Sequence, residues 1–217
     1  MYSRVIGGEI SNNVARQCSC AADRLDSCQD LTIANEDISP YSGVTTYVKN
    51  RQGYAYSDNG IQIGNVASSL PTKNIVVKNC KIMSGVDGIQ LDDLNDGSNV
   101  NIYSNVIHDS GYENEGVTRN GGIGITNCGN GITIQNNDIT GSYVAGINVN
   151  SAASGTRTLT VANNNIMNGK TGYAVKNSVA SHVNLILTHN YIYANPANIY
   201  PSSLVNKNPA TSQNLKQ

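Results

Sequence analysis

Apolar and polar residues alternate in short runs along this chain, and no stretch sustains the spacing of an amphipathic helix. Seven eight-residue segments align: Ser3–Ile10, Leu31–Ile38, Ile75–Ile82, Val100–Ile107, Ile132–Ile139, Leu159–Ile166 and Leu185–Ile192. Their third position is Val5, Ile33, Val77, Ile102, Ile134, Val161 and Leu187, and their eighth is Ile in every copy. A second short strand, opened by Gly, follows in most copies: Gly60-Ile61-Gln62-Ile63, Gly88-Ile89-Gln90-Leu91, Gly122-Ile123-Gly124-Ile125, Gly146-Ile147-Asn148-Val149 and Gly172-Tyr173-Ala174-Val175. Alternation gives each strand an inner and an outer face. The copies begin 28, 44, 25, 32, 27 and 26 residues apart. The short intervals match one turn of a β-solenoid, and the long ones carry insertions that fall in loops. The pattern predicts an all-β fold, a right-handed single-stranded parallel β-helix of about seven coils over residues 1–200, with 201–217 a polar tail, linker or cap.

Position six is Asn105, Asn137, Asn164 and Asn190 in the last four copies, and Gly8, Glu36 and Cys80 in the first three. Stacked turns lie about 4.8 Å apart. Amides at this separation can bond from turn to turn and satisfy a buried bend. The Asn column therefore reads as structural rather than catalytic.

Composition agrees. Asn occurs 32 times and Gly 21 times among 217 residues, while Trp and Phe are absent. A core lacking both rings must be built from Ile, Val and Leu, which suits stacked strands. Charged residues are only 13%, and the net charge of −1 without a basic run leaves no nucleic-acid footprint. No run of about 18 apolar residues predicts a membrane span, and Met1-Tyr2-Ser3-Arg4-Val5 is not a signal-peptide apolar region. Because the repeat begins at once, the expectation is a piece of a longer chain, or one whose ends meet further coils or partners. Cys18, Cys20 and Cys28 crowd one loop, where one bridge or a weakly signalled metal site is conceivable; Cys80 and Cys128 lie elsewhere.

The form Ile134-Gln135-Asn136-Asn137-Asp138-Ile139 followed by Gly146-Ile147-Asn148-Val149 resembles the repeat of the pectin-lyase-like superfamily. Segments such as Asn105-Val106-Ile107-His108-Asp109-Ser110-Gly111 and Asn163-Asn164-Asn165-Ile166 are similar to β-helices of secreted methanogen proteins, including disaggregatase-type enzymes. The resemblance covers nearly the whole chain. It implies the fold and an extracellular or cell-surface setting. It does not choose among lyases, hydrolases, esterases, tailspikes and adhesins.

Departures from the repeat are where chemistry is expected. Call the link from position eight to the Gly strand loop A, and the return link loop B. Two A loops are long, Ser39 to Asn59 and His108 to Gly121, and they flank a short one, Met83 to Asp87. Two tall loops about a low one predict a cleft over the Gly strands. Outer residues Gln62, Gln90, Asp92, Thr126, Asn148 and Asn150 would line it. Tyr41, Tyr47, Tyr54 and Tyr56 could pack on sugar rings or simply fasten the insertion to the wall; Lys49 and Arg51 could pair with uronates. The second insertion gathers His108, Asp109, Glu113, Glu115 and Arg119, opposite Asp87, Asp92, Asp93 and Asp96. Asp87 or Asp92 facing Glu113 or Glu115 could form the carboxyl pair of a glycoside hydrolase. His108 or Arg119 could be the base of a β-eliminating lyase, with calcium held by the Asp cluster. Asp92-Asp93-Leu94-Asn95-Asp96-Gly97 also reads as an ordinary turn. Asp87-Gly88-Ile89-Gln90-Leu91-Asp92-Asp93 partly resembles the Asp-bearing strand of polygalacturonase-type hydrolases, but neither the Gly-His-Gly nor the Arg-x-Lys segment of that family is present.

These residues favour a polysaccharide-degrading enzyme that takes an extended, acidic glycan, with hydrolysis ahead of elimination. The alternatives are a glycan-binding or adhesion module and a structural solenoid segment. No cofactor is assigned, and calcium is the ion an elimination would use.

Overall fold

A computed structural model describes residues 2–16, 21–39, 59–64, 70–84, 86–110, 121–142, 144–152, 156–167, 173–179, 182–193, 199–200 and 215–216. Its strands form three sheets of eight, seven and eight members, and every pairing is parallel. Each strand pairs with its counterparts in the coils before and after. One coil shows the path: Ile61–Gly64 in sheet I, Lys73–Lys78 in sheet II, Lys81–Ile82 in sheet III, then Ile89–Asp92 back in sheet I.

Alternation sends every second side chain into the lumen, where like residues stack in register. Ile61, Ile89, Ile123, Ile147 and Val175 form a column in sheet I. Ile33, Val77, Ile102, Ile134, Val161 and Leu187 form one in sheet II, and Ile38, Ile82, Ile107, Ile139, Ile166 and Ile192 one in sheet III. All are buried in one continuous core. β-Branched residues fit this pleated, stacked interior, and burial of each contributes about 1.5–3 kcal/mol.

The corner between sheets II and III is built from two residues. The first lies in the left-handed region in every coil: Asn12, Asn35, Asn79, Ser104, Asn136, Asn163 and His189. Asn predominates because its short polar side chain tolerates that conformation. The second residue turns inward and carries the ladder. Asn105 donates its backbone N–H and its Nδ2 to Asn137 Oδ1 at 3.0 and 2.9 Å. Asn137 does the same to Asn164 (both 2.9 Å), and Asn164 to Asn190 (3.0 and 2.9 Å). Each Nδ2 also reaches a strand carbonyl of the preceding coil: Val77, Ile102, Ile134 and Val161.

The first repeat differs from the sequence expectation. Gly8 pairs with Leu31, Ile10 with Ile33 and Ala15 with Ile38, so the first copy is Gly8–Ala15 rather than Ser3–Ile10. Its ladder residue is Asn13, not Gly8, and its eighth position is Ala15, so the Ile column holds six members. Val5 and Ile10 have the spacing of positions three and eight, which hides the shift. The left-handed Asn12 and the bonds of Asn13 to Glu36 reveal it. Tyr2–Ser3 is instead a short sheet I strand, paired with Leu25 and Asp26. Asp23–Asp26 is a sheet I strand that the pattern did not predict. At the other end, Leu215–Lys216 pairs with Ile192 and Tyr193 in sheet III.

The Gly and Ile columns are a single device. A Cβ on Gly88 would lie 2.5 Å from Ile107 Cγ2 and 2.6 Å from the Gly122 carbonyl oxygen. Gly60, Gly122 and Gly146 meet Ile82, Ile139 and Ile166 in the same way. Each of these four Gly residues is the socket for the next coil's Ile. Cys28, Cys80 and Cys128 are buried free thiols, so Cys28 takes no part in the bridge envisaged for its loop; Cys18 and Cys20 lie outside the described residues.

Candidate functional site

Sheet I was expected to offer an open polar wall. Its outer column is Arg24, Gln62, Gln90, Gly124, Asn148 and Lys176 in register, with Asp92 and Thr126 beside it. The polarity is as expected, but the openness differs. Gln90 is 4% exposed and Asn148 is wholly buried, while Gln62 and Asp92 are half-buried. Residues just ahead of each Gly contribute the cover. Asn59 Nδ2 donates to Gln90 Oε1 at 2.6 Å. In the next coil, Asp87 lays its carboxylate over Gly124, where a Cβ would stand 2.5 Å from its Oδ2.

Asp87 is 1% exposed. Its Oδ1 accepts the Gly121 N–H at 2.7 Å, its backbone N–H donates to Asn59 Oδ1 at 3.2 Å, and its carbonyl accepts from Gly60 N and Ser84 Oγ at 2.9 and 2.6 Å. Those are the bonds of a group that ties three coils together. His108 projects from sheet III beside Thr140, with Nδ1 3.3 Å from Asp109 Oδ2, and both side chains are exposed. It therefore sits on a different sheet from Asp92, and Asp87 lies in the link that leads into the Asp92 strand. Glu113, Glu115, Arg119, Tyr54 and Tyr56 lie outside the described residues.

An open polar pocket of about 520 Å³ lies one corner further on, in the B loops of successive coils. Asp93, Leu94, Asn95, Asp96, Asn127, Gly129 and Arg157 line it. It begins where sheet I ends, since the Asp93 N–H bonds the Thr126 carbonyl at 3.0 Å. Leu94 is buried and anchors the turn in the core, and its carbonyl accepts the Gly129 N–H at 2.7 Å. The Ser98 hydroxyl bonds the Asn95 carbonyl. Asp93 and Asn127 both take the left-handed conformation, which aims them out of the sheet.

Three coils are cross-linked at the pocket. Asp96 Oδ2 accepts from Arg157 Nη1 at 2.8 Å, and Oδ1 accepts from Asn130 N and Nδ2 at 2.9 and 3.2 Å. Asn130 Oδ1 in turn accepts the Thr158 N–H at 2.7 Å. Beneath lies Cys128, whose thiol is pushed up to about 12, chiefly by burial and further by the carboxylates of Asp92 and Asp93. Both carboxylates thus act on the same spot at the pocket edge. With Arg157 set against Asp93 and Asp96, the pocket holds a formal excess of one negative charge. Among the described residues no group of three or more acidic, His or Cys side chains is arranged to hold a metal.

The sequence pointed to the Asp92–Gly97 turn, but Arg157 was missed. It stands 61 residues beyond Asp96, in a loop that looked like an ordinary return. Coil-to-coil register brings the two together, and that register was available from the repeat.

The family model for the right-handed β-helix region matches residues 4–166. No curated protein and no solved structure matches the chain. The match covers most of the sequence and agrees with three all-parallel sheets and their stacked columns, so the chain belongs to the right-handed β-helix family.

Proposed function

We propose that this β-helix is a polysaccharide-degrading protein that engages a glycan at the edge formed by Asp92 and the loop B pocket. The observation that carries the reading is the pocket itself. Its carboxylates, side-chain amides and guanidinium sit on three rigidly stacked coils and offer paired donors and acceptors to sugar hydroxyls. Asp92 and Asp93 are the carboxyls we assign to chemistry, with Glu113 or Glu115, which lie outside the described residues, as the candidate second member of a hydrolytic pair. The described part of the sheet I wall favours neutral over acidic sugars, because only amides, Gly and hydroxyls stand between Arg24 and Lys176 in the outer columns, apart from Asp92. The acidic glycan inferred from Lys49 and Arg51 would need those residues, which lie outside the described set. Such a substrate assigns the protein to the cell surface or beyond.

A non-catalytic glycan-binding module is the second reading. Asp87 favours it, because that carboxyl is already committed to Gly121. Incubation with a panel of neutral and acidic polysaccharides, followed by product analysis, tests both. New reducing ends that disappear in Asp92→Asn support hydrolysis, and unsaturated products absorbing in the ultraviolet would replace it with elimination. Retention without products supports the binding module. Asp93→Asn keeps the left-handed backbone and should weaken glycan retention at least tenfold; unchanged retention would remove the pocket from the site.

A further inference from the structure

Asp23 stands where the later described coils place a hydrocarbon. It pairs in register with Ile61, at the head of the column that continues through Ile89, Ile123, Ile147 and Val175. It is 8% exposed. Among the described residues its carboxyl has no hydrogen bond or ion pair. The next acid of that strand, Asp26, faces outward and is held by Arg24 Nε at 2.9 Å.

The other groups that act on Asp23 are few. Glu36 is 2% exposed on the ladder corner, and its Oε1 accepts the backbone and side-chain N–H groups of Asn13 at 3.3 and 3.0 Å. Cys80 follows in the ladder, and its thiol is pushed up to about 11, chiefly by burial. It therefore stays neutral near pH 7. Burial first, then the Glu36 charge, push the Asp23 carboxyl up from 3.8 to about 6.

We propose that Asp23 is a proton-operated latch on the first coils, closed when its carboxyl is neutral and loosened when it ionises opposite Glu36. The direction follows from linkage. A carboxyl raised in the folded state contributes stability that is complete below its unfolded value, near 4. That contribution is lost as pH rises through about 6. The full change corresponds to about a hundredfold in the opening equilibrium. It concerns Tyr2–Arg16 and the Gln29–Ala34 strand stacked against them, because these lie beside the acid pair. The coils from Ile132 onward have an all-amide ladder and no corresponding acid in the column.

Native-state amide exchange, corrected for intrinsic rates, tests the latch on the full chain. Between pH 4.5 and 7.5, protection of Ile6–Ser11 and Gln29–Ala34 should fall by up to about 25-fold, while Ile132–Gln135 and Leu159–Val161 hold steady. Asp23→Asn should abolish the pH difference and retain high protection at pH 7.5. A wild-type chain with no such difference, or a variant that keeps it, would overturn the proposal. Carbon-13 titration of the wild-type Asp23 carboxyl gives a second measurement that does not depend on the variant folding. A midpoint near 6 that falls in Glu36→Gln supports the latch, and an ordinary aspartate midpoint refutes it.

Discussion

The ladder has two halves, and they solve one problem with different chemistry. From Asn105 to Asn164 every rung is an amide that accepts from the coil before and donates onward, and Asn190 accepts from Asn164 at the end of the described run. From Asn13 to Cys80 the members change to an amide, a carboxylate and a thiol. The Asn13 N–H bonds a carboxylate, the Cys80 thiol turns to the Lys78 carbonyl of its own coil at 3.3 Å, and the Cys80 N–H bonds Asn105 Oδ1 at 3.0 Å. A carboxylate donates nothing, and a thiol bonds weakly. Glu36 keeps the acceptor role of a rung without the donor, so the side-chain donor is the dispensable part. The first half keeps the geometry while giving up part of the binding between coils.

Breaking the uniform half should cost most. Asn137→Ala leaves the N–H and Nδ2 of Asn105, Asn164 Oδ1 and the Ile102 carbonyl short of a partner inside the stack. A loss of about 3–5 kcal/mol in chemical unfolding is expected. Repairing the irregular half should act in the opposite direction. Cys80→Asn restores a rung that donates to its neighbour, and a gain of about 1 kcal/mol is expected. A loss there would mean that Glu36 does not tolerate an amide beneath it. The smallest effect should come from the amide ladder outside the barrel, where Asn99 Nδ2 donates to Asn74 Oδ1 at 2.9 Å in view of solvent. Asn99→Gly keeps the left-handed backbone, and its measured change should stay within about 0.5 kcal/mol.

The fold was legible because its cause is periodic. Inward Ile at position eight and Asn at position six repeat with the coil, and both follow from packing identical turns on one another. The first copy was misplaced because Val5 and Ile10 reproduce the Ile spacing by coincidence, and only the ladder partner of Glu36 distinguishes Gly8 from Asn13. The site was less legible. Gln62, Gln90 and Asn148 were correctly placed on one face, yet alternation cannot tell an outward residue from an uncovered one. Asn59 and Asp87, which help to cover that face, resembled loop residues. Arg157 emerged only once coils three to five were stacked.

The Gly–Ile interlock has a consequence for how such a molecule changes size. The central coils present the same socket to one neighbour and the same plug to the other, as Gly60 with Ile82, Gly88 with Ile107, Gly122 with Ile139 and Gly146 with Ile166 illustrate. A whole coil could therefore be removed or duplicated between equivalent positions without creating a new kind of junction. The barrel is a ruler graduated in steps of about 4.8 Å, and its length can be edited one division at a time while the marks on either side stay aligned.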